Sequence, residues 1–155
     1  MIRLRFVSGK DAVSLGIRAQ TRSDWSHAEA VTPDGLYLGA HAQGGVEARK
    51  PGYDADYLAK DLLVDLGETA PGQADAFYAF LNRHIGEPYD FGAIFDFAIP
   101  GIEVHEARHV ICSAFMTLGL RQCGFFATPL SEPAHRISPR DLLLLVSARI
   151  PIHGA

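Results

Sequence analysis

Cysteine, histidine and glutamate fall in this chain where they could build a nucleophilic site. Cys112-Ser113 heads an apolar stretch of helical spacing, Cys112 to Cys123 (CSAFMTLGLRQC). A cysteine at a helix start lies in the positive field of the N-terminus, which lowers its thiol pKa and favours the thiolate. Such a nucleophile needs a base to carry its proton, and the base needs a polar group to hold its ring. His27, in Trp25-Ser26-His27, is the candidate base. Glu29 shares its strand face by period two, and His41 on the neighbouring hairpin strand is placed to reach across. The bland alternative is a cysteine acting as a small hydrophobe and a half-buried sheet histidine. Cys123, at the negative end of the same helix, suits that alternative better than Cys112 does.

A second pattern competes. His105-Glu106-Ala107-Arg108-His109 matches H-E-x-x-H, which on a helix presents two zinc ligands on one face with Glu as general base. Its context is poor: Pro100-Gly101 lies just upstream, and no Gly-x-x-His follows to supply a third ligand. Glu132 is a distant third ligand, but Pro129 and Pro133 place it in a loop. The two readings also conflict in geometry. Zinc needs a helix running through 105–109, whereas the thiolate needs one beginning near Cys112, because the dipole effect fades beyond the first turn. The β-branched pair Val110-Ile111 suits an extended approach, so the later start is expected.

The elements that must position these residues are legible in outline. Ile2, Leu4 and Phe6 alternate with Arg3 and Arg5 as in a half-buried strand. Asp11 to Gln20 suits a short helix, capped by Ser8 or Asp11. Trp25 to Val31 and Leu36 to His41 flank Pro33-Asp34-Gly35, a turn signature, so a hairpin is expected there. Gly44-Gly45 breaks its second strand, and Val46 to Arg49 and Lys60 to Leu66 read as further sheet. Ala74 to Ile85 carries Phe77, Phe80, Leu81 and Ile85 on a helical stripe stopped by Gly86, and Gly124 stops the cysteine helix. Tyr89 to Phe97 is aromatic-rich between Pro88 and Pro100. Ser138-Pro139 opens a last helix. The expected class is α+β, a small antiparallel sheet packed against helices.

Composition narrows the field. The chain has 155 residues, 48% of them hydrophobic and 21% charged. That length suits one domain, 1–155, able to bury roughly 70% of its unfolded surface. The longest run of large aliphatics, Leu142 to Val146, is far short of the ~20 residues of a membrane span, so no integral membrane association is expected. A net charge of −4 lacks the field for phosphate backbones, which argues against nucleic acid. The alternating N-terminus is no signal peptide, which implies a protein cytoplasmic as synthesised. Two cysteines make no disulfide scaffold; on one helix they would stand roughly 16 Å apart. Nothing calls for a cofactor.

The set Ile17-Arg18, Ser26-His27, Gly86-Glu87-Pro88-Tyr89-Asp90-Phe91, Ile111-Cys112-Ser113 and Ser138-Pro139-Arg140-Asp141-Leu142 resembles the permuted branch of the NlpC-type papain-like cysteine peptidases, the YiiX-like group. In that family the papain-like order is circularly permuted, and the histidine strand precedes the cysteine helix, as here. The resemblance implies Cys112 as nucleophile, His27 as general base and Ser113 as the second half of the family's Cys-Ser pair, an orienting or substrate-binding candidate. The family's third polar residue, often Glu before a small residue, falls where His41-Ala42 stands; Glu29 is the alternative in that role. Tyr89 matches a tyrosine near the site, a hydrogen-bond donor to substrate without a chemical step. The implied partner is a peptide or other amide or ester substrate, of cell-wall type in some relatives and lipid-directed in others. The implied reaction has Cys112 attacking the carbonyl, with its own backbone N–H at the helix start available to the oxyanion. A substrate outside the cytoplasm would require lysis or a secretion system for delivery. The other readings are a non-catalytic binding module on the same fold, a lipid-directed acyltransferase or thioesterase, and a zinc hydrolase on His105 and His109.

Overall fold

The structure, a computed structural model, describes residues 1–41, 43–87 and 104–148, with the backbone alone for 104–111. Its centre is an antiparallel sheet of β1 (Ile2–Gly9), β2 (His27–Val31), β3 (Tyr37–His41), β4 (Gly45–Arg49) and β5 (Leu58–Leu66), in the order β4-β3-β2-β1-β5. The β2–β3 hairpin closes through Thr32, whose N–H donates to the Leu36 carbonyl at 2.8 Å. Gly35 takes the positive φ of 85° that this turn requires.

Among the described residues, four α-helices accompany the sheet: α1 (Ala12–Thr21), α2 (Gln73–Arg83), α3 (Val104–Gln122) and α4 (Pro139–Ser147). Asp11 caps α1 by accepting from the Ser14 N–H at 2.9 Å. Ser138 and Asp141 form a reciprocal capping box at α4, with Pro139 in the first turn. Alternation on the strands turns Ile2, Leu4, Phe6, Ala28, Ala30, Leu38 and Ala40 to one face. There they join Phe77 and Leu81 of α2, Phe115, Met116 and Leu120 of α3, and Leu142 and Val146 of α4 in a single core. This is the expected α+β architecture, an open five-stranded antiparallel sheet with four helices. Among the described residues no helix is long and apolar enough to cross a membrane.

Two local expectations are corrected. The helix carrying Cys112 begins at Val104, so Val110 and Ile111 lie within it rather than in an extended approach. Lower helix propensity at two β-branched residues amounts to less than about 1 kcal/mol each, which a continuous 19-residue hydrogen-bonded helix overrides. Arg5, whose alternation with Leu4 and Phe6 suggested a solvent-facing side, is only 2% exposed. The opposite sheet face is covered at that point too.

Candidate active site

The second sheet face gathers the polar residues. Arg5 of β1 pairs in register with Glu29 of β2, and Val7 with His27. Period two then sets His27 and Glu29 side by side on this face. On β3 the same face holds Tyr37, Gly39 and His41, and Gly39 leaves the room that Glu29 occupies: a Cβ there would stand 3.0 Å from the Glu29 Cβ. His27 opens β2, and its ring and the Cys112 thiol of α3 lie near enough for each to shift the other's proton affinity. The Ala28 and Ser113 backbone amides lie near that sulfur.

Glu29 is fully buried. Its Oε1 accepts from Arg5 Nη1 at 2.8 Å and its Oε2 from the Tyr53 hydroxyl at 3.0 Å. The same Oε2 lies 3.4 Å from His27 Nε2 and 4.0 Å from His41 Nε2, close but not aligned as hydrogen bonds. The two imidazoles lie with centroids 5.1 Å apart, and the Tyr53 ring meets His41 edge-on at 5.5 Å. Behind Glu29, Arg5 is ringed by carboxylates: Asp54 Oδ2 lies 2.8 Å from Nη1 and Asp61 Oδ2 2.8 Å from Nε. Its guanidinium also stacks 4.4 Å over the Tyr37 ring.

Burial opposes every charge in this cluster, and pairing decides which charges survive. Burial pushes the His27 pKa down, but the Cys112 thiolate and then Glu29 outweigh it and raise it to about 10. Burial pushes the Cys112 thiol up, while His27 and the two backbone amides bring it below its ordinary value. Glu29, despite burial, is held below the usual carboxylate range by His27 and then Arg5. His41 goes the other way: burial, the charge on His27 and Arg49 lower it to about 3, against the pull of Glu29. Pairing thus favours the charged forms of Cys112, His27 and Glu29, while His41 is driven toward its neutral form.

The sequence-derived residues thus separate. Cys112, His27, Glu29 and His41 come together. Ser113 does not join them: it is fully buried and its hydroxyl donates to the Ile137 carbonyl at 2.6 Å, tying α3 to the segment before α4. Tyr89 lies outside the described residues, as do the side chains of His105, Glu106 and His109, although α3 runs through that stretch as the zinc reading requires. Cys112 stands more than two turns (~3.6 residues each) inside α3, beyond reach of the helix N-terminal field. Its low thiol pKa comes from His27 instead. For the same reason its backbone N–H belongs to the helix ladder and is not free for an oxyanion. Cys123 follows the end of α3, a free thiol pushed up by burial, its Sγ 3.3 Å from the Leu120 carbonyl.

Arg5, Tyr53 and Asp54 escaped the sequence reading. Arg5 carried a usable signal, an arginine one register step from a strand glutamate. Tyr53 and Asp54 lie in the β4–β5 connection, where no periodicity announces burial. Searched against protein-family models, curated proteins and solved structures, the chain matches none of them.

Proposed function

We propose that this chain is a cysteine hydrolase of permuted papain-like, NlpC-type architecture, cleaving an amide bond of peptide type. The observation that supports it is the Cys112–His27 pair, each shifting the other toward its charged form, with the buried Glu29 3.4 Å behind the histidine. Nucleophile, base and orienting group are the three parts such chemistry needs. Glu29 rather than His41 takes the orienting place, because it is charged and nearer to the His27 ring. With Nε2 turned to Glu29, the other His27 nitrogen serves the sulfur.

The Cys112 thiolate attacks the carbonyl carbon, and the imidazolium of His27 gives its proton to the leaving nitrogen as the C–N bond breaks. The acyl group then sits on sulfur as a thioester, and the amine departs. Neutral His27 takes a proton from water, whose oxygen attacks the thioester carbonyl. Carboxylic acid leaves and the thiolate–imidazolium pair is restored. An ester or thioester substrate would follow the same steps with an oxygen or sulfur leaving group.

The test is hydrolysis of a panel of peptide amides and acyl esters by the full chain. Cys112→Ala and thiol alkylation should each abolish turnover, and a chelator should not reduce it. Loss of turnover on chelation with the Cys112→Ala variant still active would instead favour a metal hydrolase on His105 and His109. An intact Cys112→Ala activity without metal dependence would sink both.

A further inference from the structure

His27, Glu29 and His41 present their remaining ligand atoms to one point. Their candidate donor atoms all lie within 4.8 Å of one another. His27 Nε2 and His41 Nε2 are both buried and lack a hydrogen-bond partner. A buried imidazole nitrogen left so is unfavourable by about 1–3 kcal/mol, and native structures fill such gaps with water or an ion. Three nearby carboxylates, Glu29, Asp54 and Asp61, face one buried arginine, Arg5, so the surroundings are rich in negative charge.

We propose that His27 Nε2, Glu29 Oε2 and His41 Nε2 form a binding site for a zinc-class divalent cation. Two imidazoles and one carboxylate suit a borderline metal, whereas calcium and magnesium favour all-oxygen sites. Ligand bonds of about 2.0–2.2 Å in a tetrahedron set neighbouring donors roughly 3.3 Å apart. The His27–Glu29 separation of 3.4 Å already fits, the His41–Glu29 separation is 4.0 Å, and with all donors within 4.8 Å the two rings must close by at most about 1.5 Å. His27, 20% exposed against 0% for Glu29 and 5% for His41, marks the side from which ion and water enter. Water takes the fourth position. The tyrosine hydroxyl of Tyr53 on Oε2 and Arg5 on Oε1 act as the outer partners that orient the carboxylate.

The consequence for activity rests on the hydrolase reading above. A metal on Nε2 displaces the proton that the imidazolium carries there and leaves the ring's one proton on the other nitrogen. His27 then has no site to accept a proton from water. Zinc would therefore inhibit hydrolysis without touching the sulfur.

The experiment titrates Zn²⁺, and separately Co²⁺, into the full chain and into a Cys112→Ala, Cys123→Ala double variant that has no thiol. Both should bind one ion with closely similar affinity, and the cobalt complex should lack a thiolate charge-transfer band. His41→Gln, checked for an unchanged melting temperature, should weaken binding by more than about tenfold. Zinc should also shift the labelled ring nitrogens of His27 and His41 together in the thiol-free variant, which keeps the proposal testable if His41→Gln misfolds. No binding to the thiol-free variant would mean that water, not metal, fills the gap. A cobalt–thiolate band in the unmodified chain, or equal affinity in His41→Gln, would place the metal elsewhere. Since binding is read without the nucleophile, its failure leaves the hydrolase reading untouched, and an inactive native chain leaves the metal site untouched.

Discussion

Cys112 and His27 each lose hydration inside the protein, which by itself would leave a neutral thiol beside a neutral imidazole. Their mutual attraction, with Glu29 added, reverses this and raises His27 to about 10 while lowering Cys112. The two titrate as a pair, so the pH profile reports the pair. On the hydrolase reading proposed above, kcat/KM of the chelator-treated chain should rise with pH as Cys112 loses its proton, below the ordinary thiol value of 9.0. It should fall as His27 loses its proton near 10, far above the ordinary 6.5. Glu29→Gln should move that basic limb to lower pH, because a charge that favours imidazolium is gone. A basic limb left near 6.5 in the native enzyme would place His27 outside the pair.

The scale of elements explains how a strand residue and a helix residue come to meet. The sheet supplies His27, Glu29 and His41 by register, and α3 must pass close to the start of β2 to bring Cys112 there. α3 is also packed closely against α2. At Gly119 an added Cβ would lie 2.9 Å from the Phe77 ring and 3.3 Å from Leu81, both on α2. Gly119→Val should push the two helices apart and destabilise the fold by about 1–3 kcal/mol, measured by urea unfolding. The cap of α4 is a milder dependence. Ser138→Ala removes the side chain that accepts from the Asp141 N–H, and should lower stability by about 1 kcal/mol with little change in turnover.

Across the whole molecule, the buried ion network ties β1, β2, β5 and the β4–β5 connection to the site. Arg5 pairs with all three of Glu29, Asp54 and Asp61. Removing one partner from such a group leaves buried charge without compensation. Arg5→Met should therefore destabilise by about 3–5 kcal/mol, seen as a lower urea midpoint, and should reduce turnover through a disordered Glu29. The network also sets the acid limit. The folded pKa of Glu29 lies below its ordinary 4.5, so its contribution is present above 4.5 and lost as pH falls through the folded value. Thermal melts from neutral pH downward should show stability falling below that point, and less steeply in Glu29→Gln.

Local chemistry made much of this legible in the amino-acid sequence. Pro33-Asp34-Gly35 specified its turn, Ser138-Pro139 its helix start, and period two placed Glu29 beside His27, because each depends on residues a few positions apart. The sequence alone also singled out Cys112 and His27, through residue type and a family resemblance. It did not determine why Cys112 is acidic. Helix-start propensity pointed to the macrodipole, but α3 begins at Val104, and a thiol partner 85 residues away in the chain does the work instead. Tyr53 and Asp54 were out of reach, since their place beside Glu29 and Arg5 is set by how the β4–β5 connection folds over the sheet. Tertiary structure decided the charges, because burial and pairing across the fold outweigh what neighbours along the chain can impose.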